Sequence, residues 1–377
     1  MINYRVEYTA TDDLISQAIN IDRQVYSKSD VGKINACKQW LNVNNEIYTF
    51  LLDGNKLVGY INFVRLTDEC LELFLQGKMK DYRLSIEDIL PFEHGDNRCL
   101  FMSMAILQEY RDTDAINMLR QAFDKKIKML EGKGVYIKDV VIDCVNLDEI
   151  EYSIKRLNAR YIKNSYNGKI YYTKDMYSNK IVPKISLELL NKDNIKPMAL
   201  IQYEIFNKYW CGYADYIKEL KSRENNLPVS YIIKYKRKNV GIVGLYELKD
   251  YPDVIWLNWL GILPEYRNLG IGTEALFKII KIAKTYNRKE FRLVTYKVWN
   301  SKAQRIYEKT LKIAEPYKNE YDWQKGIKEG KAMIFSSSLD NRGYRIKKWN
   351  NKYIDLNDDI RLHNESMRLL KQDKLIN

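Results

Sequence analysis

The hexapeptide Arg267-Asn268-Leu269-Gly270-Ile271-Gly272 is the part of this sequence best suited to chemistry. Two glycines let the backbone approach a ligand closely and turn its N–H groups inward. A helix starting at Thr273 would add unsatisfied donors and the positive end of its dipole. Arg267 adds a charge that persists at any pH. These residues together describe a cradle for a phosphate or pyrophosphate. The pattern R-x-x-G-x-G alone is weak, with ~0.1 chance matches in a chain of this length, so its setting must carry the reading.

That setting is a succession of strands and helices. Val254–Ile262 reads as a long strand, and Pro264 marks the turn after it. Thr273–Thr285 is amphipathic, with Ala275, Leu276, Ile279, Ile280 and Ala283 on one face. Phe291–Val298 is a strand, Ser301–Thr310 a helix and Lys331–Ser336 a last strand. Upstream come a strand at Ile185–Leu190, a helical stretch over Lys196–Leu220 and a hairpin of Tyr231–Tyr235 with Gly241–Leu248. The first half has a similar order, with helices at Ala10–Ser27, Asp112–Leu130 and Leu147–Ala159, and strands at Glu46–Leu52, Leu57–Val64 and Gly134–Cys144. Glu109-Tyr110-Arg111 echoes Glu265-Tyr266-Arg267 at a domain-sized offset of 156 residues. The pattern predicts a duplicated α/β (α+β) fold. The expected domains are 1–178 and 183–338, joined by a linker at Asp175–Lys184, with an insertion near Arg65–Asn97 in the first. A tail follows at 339–377.

Trp256–Gly272, the helix and strand after it, and Asn300-x-x-Ala303-x-x-x-Tyr307-Glu308-Lys309 resemble the GNAT superfamily of acyl-CoA-dependent N-acetyltransferases. The resemblance covers Ile185–Ser336, and its two motifs stand 33 residues apart. The family that the second copy resembles implies that each copy is a mixed, mostly antiparallel sheet flanked by helices. It implies that Arg267, Asn268, Leu269, Gly270, Ile271, Gly272 and Thr273 bind the pyrophosphate of acetyl-CoA. It implies that the backbone of Leu260, Gly261 and Ile262 pairs with the pantetheine arm where that strand splays from its neighbour. It also implies that Asn300 helps hold the coenzyme, and that Tyr307 sits near the sulfur as a general acid. One departure is Thr310-Leu311-Lys312-Ile313, where the family usually has Gly-Phe.

The reaction so implied is direct acyl transfer to a primary amine of a small molecule, peptide or protein. An amine of pKa about 10.4 must first lose a proton, at a cost of about 4–5 kcal/mol at pH 7. Some relatives place a Glu for this where Trp256 stands here, and Trp256 cannot accept a proton. Glu247, Asp250 and Glu204 are the candidate bases. Trp210, Trp256, Trp259 and Trp299 are candidates for an aromatic acceptor wall or for the core. Trp256 and Trp259 fall on opposite faces of a regular strand, so at most one would line the pocket with Trp210 and Glu204.

The first copy has Arg111-Asp112-Thr113-Asp114-Ala115-Ile116 at the loop position. Asp114 replaces Gly270, Ile116 replaces Gly272, and Ser153 stands where Tyr307 does in the second copy. This predicts a fold kept without coenzyme binding.

Composition excludes other chemistries. There are only two His, His94 in a polar stretch and His363 in the tail, against 30 Tyr. A catalytic triad or a His metal site would need one of those two. The five Cys are scattered, with no C-x-x-C pair, so the expectation is reduced thiols, no metal and a cytoplasmic setting. The N-terminus lacks a signal-peptide pattern and no apolar run is long enough to span a membrane.

Residues 1–180 carry 25 basic and 26 acidic side chains, and 181–377 carry 37 and 23. The excess positive charge therefore lies in the half with the cradle, where an anionic coenzyme would bind. Nucleic acid is the competing partner. Tandem copies of this fold also resemble mycothiol synthase-like acetyltransferases and Fem-type transferases that use aminoacyl-tRNA, and a non-catalytic coenzyme A- or RNA-binding module is a third reading. In the tail, Arg342, Arg345, Lys347, Lys348 and Trp349 precede a helical pattern around Ile360–Leu370, expected to dock with one solvated face.

Overall fold

The computed structural model describes residues 3–26, 31–165, 168–176, 182–206, 211–222, 227–296, 301–317, 332–339, 346 and 357–376. It forms two compact units, the first within Met1–Lys180 and the second comprising Ile181–Leu339 and Arg345–Asn377.

The first unit has strands β1 (Tyr4–Glu7), β2 (Tyr48–Asp53), β3 (Lys56–Leu66), β4 (Ile89–Leu90), β5 (Gly95–Ile106), β6 (Val135–Cys144), β7 (Arg160–Asn164) and β8 (Lys169–Asp175). Its helices are α1 (Asp12–Val25), α2 (Ile34–Val43), α3 (Asp68–Leu75), α4 (Ala115–Gly132) and α5 (Leu147–Lys155). The second has β9 (Ile185–Leu189), β10 (Val229–Tyr235), β11 (Lys238–Tyr246), β12 (Val254–Ile262), β13 (Glu290–Tyr296), β14 (Ile313–Tyr317) and β15 (Ala332–Ser338). Its helices are α6 (Ile195–Ile205), α7 (Tyr213–Ser222), α8 (Ile271–Thr285), α9 (Ser301–Thr310) and α10 (Asn357–Gln372).

The sheets have one topology. Strand order is β1-β2-β3-β5-β6-β8-β7 in the first and β9-β10-β11-β12-β13-β15-β14 in the second. Among the described residues each has one parallel pair at the same place, β5 with β6 and β12 with β13. The rest of each ladder is antiparallel. β3 is buried on both faces from Leu57 to Val64, so its sequence is a near-continuous apolar run and not an alternation. The segment Arg65–Asn97 supplies α3 and the short β4, where the second unit has only a loop between β11 and β12.

The helical stretch expected over Lys196–Leu220 is two helices, α6 and α7. The Gly212 carbonyl accepts from Tyr216 N and starts a new helix, while Phe206 N closes the old one on Gln202 O. Periodicity survives the break because both pieces bury one face against the same sheet.

Candidate active site

The site is built where β12 parts from its neighbour. β12 pairs with β13 only at Val254, Ile255 and Trp256. Beyond that β13 runs on with β15, and β12 keeps β11 alone as far as Ile262. Among the described residues, one backbone edge of β12 therefore faces a cleft instead of a ladder partner, over the stretch that includes Leu260, Gly261 and Ile262.

A β-bulge lies at the opening of this cleft. Gly244 pairs with Asn258 and Ile242 with Gly261, so Trp259 and Leu260 together oppose Val243. Trp259 takes a left-handed φ of +48°, which is strained for an aromatic residue. The bulge also breaks the alternation on which Trp256 and Trp259 are expected to face opposite sides. Trp256 lies opposite Tyr246 and Gly261 opposite Ile242, and both partners are on one face of β11. The extra residue thus brings Gly261 to the face of Trp256, while Trp259 meets the end of α6 through Phe206.

The two tryptophans differ in role. Trp256 is fully buried with Val254, Ile334 and Tyr246, so it is core and does not line a pocket. Trp259 is half-buried, its ring edge-on to Phe206 at 5.3 Å. Gly261 is needed here because a Cβ would lie 2.5 Å from Ile205 Cγ2. The end of α6 thus rests directly on β12. Glu204 is exposed in the last turn of that helix. Trp210, Trp299 and Asn300 lie outside the described residues.

The loop after β12 leads into α8 through two left-handed residues, Asn268 (φ +65°) and Gly270 (φ +79°). Gly270 is the N-cap residue of α8 and offers no capping side chain. Glu274 N bonds Gly270 O, leaving the N–H groups of Ile271, Gly272 and Thr273 without intrahelical acceptors. Arg267 is exposed and donates from Nε to Ile262 O at 2.9 Å, tying the loop to the end of the strand. Leu269 is 48% exposed and Ile271 is buried.

Helix α9 closes the far side. A Cβ on Gly272 would sit 3.6 Å from Ile306 Cδ1 and 3.7 Å from Ile262 Cγ1. Gly272 thus looks into the space between β12 and α9. Tyr307 follows Ile306 and is nearly buried, with its ring 5.8 Å from Phe335. Burial holds its phenol pKa well above the ordinary value, so it stays protonated and has a proton to give. An uncapped helix start, an open strand edge and a glycine facing the gap suit an anionic group carrying an extended, amide-bearing arm.

Glu247 is placed differently from its proposed role as base. Its carboxylate takes Arg288 Nη2 at 2.8 Å. Arg288 follows α8, which puts the pair on the α8 side at the end where β12 begins. Three residues of strand, about 10 Å at ~3.3 Å each, separate its level from the bulge. Glu247 is an ion-pair partner and not a cleft residue.

The first unit keeps the parting strands and closes what they open. β5 leaves β6 after Phe101, but Tyr26 O–H donates to Met104 O, the carbonyl matching Leu260. The crevice there is lined by Tyr26, Lys80, Asp143 and Glu149. Lys80 pairs with Asp143 at 2.6 Å, and burial raises the Glu149 carboxyl to about 7. At the loop, Asp114 is right-handed, with φ −75°. Thr113 Oγ1 accepts from Ala115 N and so occupies the first N–H group of α4.

Residues 196–312 match the profile of the acetyltransferase (GNAT) family, so the second unit carries a GNAT acetyltransferase domain, and that family uses acetyl-CoA generally. No curated protein matches the chain. Among solved structures, a spermidine N-acetyltransferase chimera from Vibrio cholerae is 16% identical, with a TM-score of 0.34, over 43% of this chain and 99% of that one. A GNAT-family acetyltransferase from Staphylococcus aureus is 19% identical, with a TM-score of 0.33, over 41% and 99%. An IAA acetyltransferase from Bacillus cereus is 15% identical, with a TM-score of 0.29, over 41% and 99%. Among the described residues no group of side chains is arranged to hold a metal ion, and no helix is long and apolar enough to cross a membrane.

Proposed function

We propose that the second unit is an acyl-CoA-dependent N-acyltransferase with one working thioester site, and that the first unit keeps the fold without the site. The observation that carries this is the join of β12 to α8, an open strand edge running into a left-handed Gly270 and an uncapped helix start. Acetyl-CoA would supply the activated acyl group. The N–H groups of Ile271, Gly272 and Thr273 hold its pyrophosphate, with Arg267 beside them, and the backbone of Leu260–Ile262 pairs with its pantetheine arm. Asn300 belongs to the same set by its place in the motif.

The acceptor is a primary amine that enters between α6 and the bulge, past Trp259 and Phe206. Glu204, in the last turn of α6, takes its proton directly or through water. The neutral amine attacks the thioester carbonyl, the C–S bond breaks as Tyr307 O–H donates to the departing sulfur, and the proton that the attacking nitrogen then loses returns through water to Tyr307. A phenol kept protonated by burial suits that step and not proton removal. In the first unit Tyr26 on Met104 O and Thr113 on Ala115 N occupy contacts that the same ligand would need.

Calorimetry of the full chain with acetyl-CoA tests the first step. Thiol release with 1,4-diaminobutane, tyramine and a lysine-containing peptide tests the second. Absence of acetyl-CoA binding would sink the reading, and binding without release for any amine would reduce it to a coenzyme-binding module.

A further inference from the structure

The N–H groups that open α7 are satisfied by side chains from distant helices. Ala214 N donates to Ser366 Oγ at 2.8 Å, across 152 residues of sequence. Cys211 N donates to His363 Nδ1 at 3.4 Å, and Gly212 N to Gln202 Oε1 of α6 at 2.8 Å. Such groups are normally met by a residue just before the helix. Here α10 supplies two of the three acceptors.

His363, Ser366, Leu370 and Asp373 follow one another at three, four and three residues, which puts them on one stripe of α10. Ser366 and Leu370 are fully buried. At the end of the stripe Asp373 Oδ2 accepts from Tyr213 O–H at 2.8 Å and pairs with Lys196 of α6 at 3.2 Å. One face of α10 therefore grips both α6 and α7. Leu370 shares an apolar cluster with Ile205, and Phe206 and Trp259 pack on that cluster. A packed path thus runs from α10 through α6 to the bulge in β12.

We infer that α10 is a positioning element for the acceptor side of the cleft, with Ser366 and Asp373 holding the α6–α7 pair over Trp259. Phe206, at the end of α6, packs on Trp259, and α7 opens at the N–H groups that α10 caps. Loosening the cap frees the wall that the amine meets and leaves the pyrophosphate cradle on α8 untouched. The consequence for substrate rests on the function proposed above, whereas the cap itself does not.

The test uses the full chain with Ser366→Ala, Asp373→Ala and Asp373→Asn. Hydrogen exchange is followed at the amides of Gly212–Ala214, together with acetyl-CoA affinity and the amine KM. Ser366→Ala is expected to speed exchange at Ala214 about fivefold, the ratio matching ~1 kcal/mol, a typical helix cap. The KM of whichever tested amine is turned over should rise by about the same factor, with kcat and acetyl-CoA affinity within about twofold of the parent. Asp373→Ala should act in the same direction, and Asp373→Asn, which still accepts from Tyr213, should restore the parent values. The Asp373 pair carries the test if Ser366→Ala does not fold. Unchanged exchange at Ala214, or exchange raised equally through β9–β12, would overturn the inference. A chain that binds no acetyl-CoA would overturn the proposed function, while the exchange data still decide whether α10 is the cap.

Discussion

Replacing Gly272 by alanine separates what the fold needs from what the ligand needs. Gly272 is the second residue of α8 and its φ is not left-handed. A Cβ there meets Ile306 and Ile262 at 3.6 and 3.7 Å, ordinary contact distances. The unliganded protein should therefore lose nothing and gain the usual helical advantage of alanine over glycine, ~0.5–1 kcal/mol. For a unit of this size that raises Tm by about 1–4 °C. The added methyl occupies the gap between β12 and α9 where the bound pyrophosphate must approach the backbone. Displacing one charged hydrogen bond costs ~1.5–3 kcal/mol, which is about a 10- to 150-fold rise in Kd. Calorimetry with acetyl-CoA and a thermal melt of the same preparation read the two effects, which have opposite signs. An unchanged Kd, or a lowered Tm, would refute the reasoning about this glycine. Gly270 offers the contrast, because alanine there adopts the left-handed region at a cost of ~1–2 kcal/mol and should lower Tm as well as affinity.

Tyr307→Phe should leave acetyl-CoA affinity near that of the parent and reduce kcat by about 10²–10⁴-fold, the usual weight of a positioned proton donor; a kcat within a few-fold would remove Tyr307 from the chemistry. Glu247→Gln should leave amine-dependent thiol release unchanged and lower stability by no more than ~1 kcal/mol, because it breaks only a part-exposed pair with Arg288. Asp22, buried and accepting from Tyr60, has its carboxyl raised from 3.8 to about 7 by desolvation. A raised carboxyl favours folding in its neutral form, so this contribution is full below about pH 4 and is lost as pH rises to about 7. Asp22→Asn should flatten that dependence in thermal melts of the full chain from pH 4 to 8, and an identical pH profile would show that Asp22 is not its source.

The sequence by itself determined what depends on neighbours along the chain. The two glycines of Arg267–Gly272, the strand before them and the amphipathic helix after them sit in consecutive residues, so periodicity and turn chemistry suffice to place them. The echo of Glu265-Tyr266-Arg267 in Glu109-Tyr110-Arg111 announced a repeated topology, and the two sheets have the same strand order. The tertiary structure decided what depends on residues far apart. The one-residue bulge at Trp259 breaks the alternation that Trp256 and Trp259 were read by, and period-two reasoning cannot see a bulge because it is set by pairing with β11. Glu247 reads as a free carboxylate until Arg288, 41 residues on, arrives beside it. The break between α6 and α7 is invisible in apolar spacing, since its acceptors come from Gln202 and from a helix at the other end of the chain. Short-range order follows from steric and hydrogen-bonding preferences of adjacent residues, whereas partners for buried polar groups are chosen only when the chain packs.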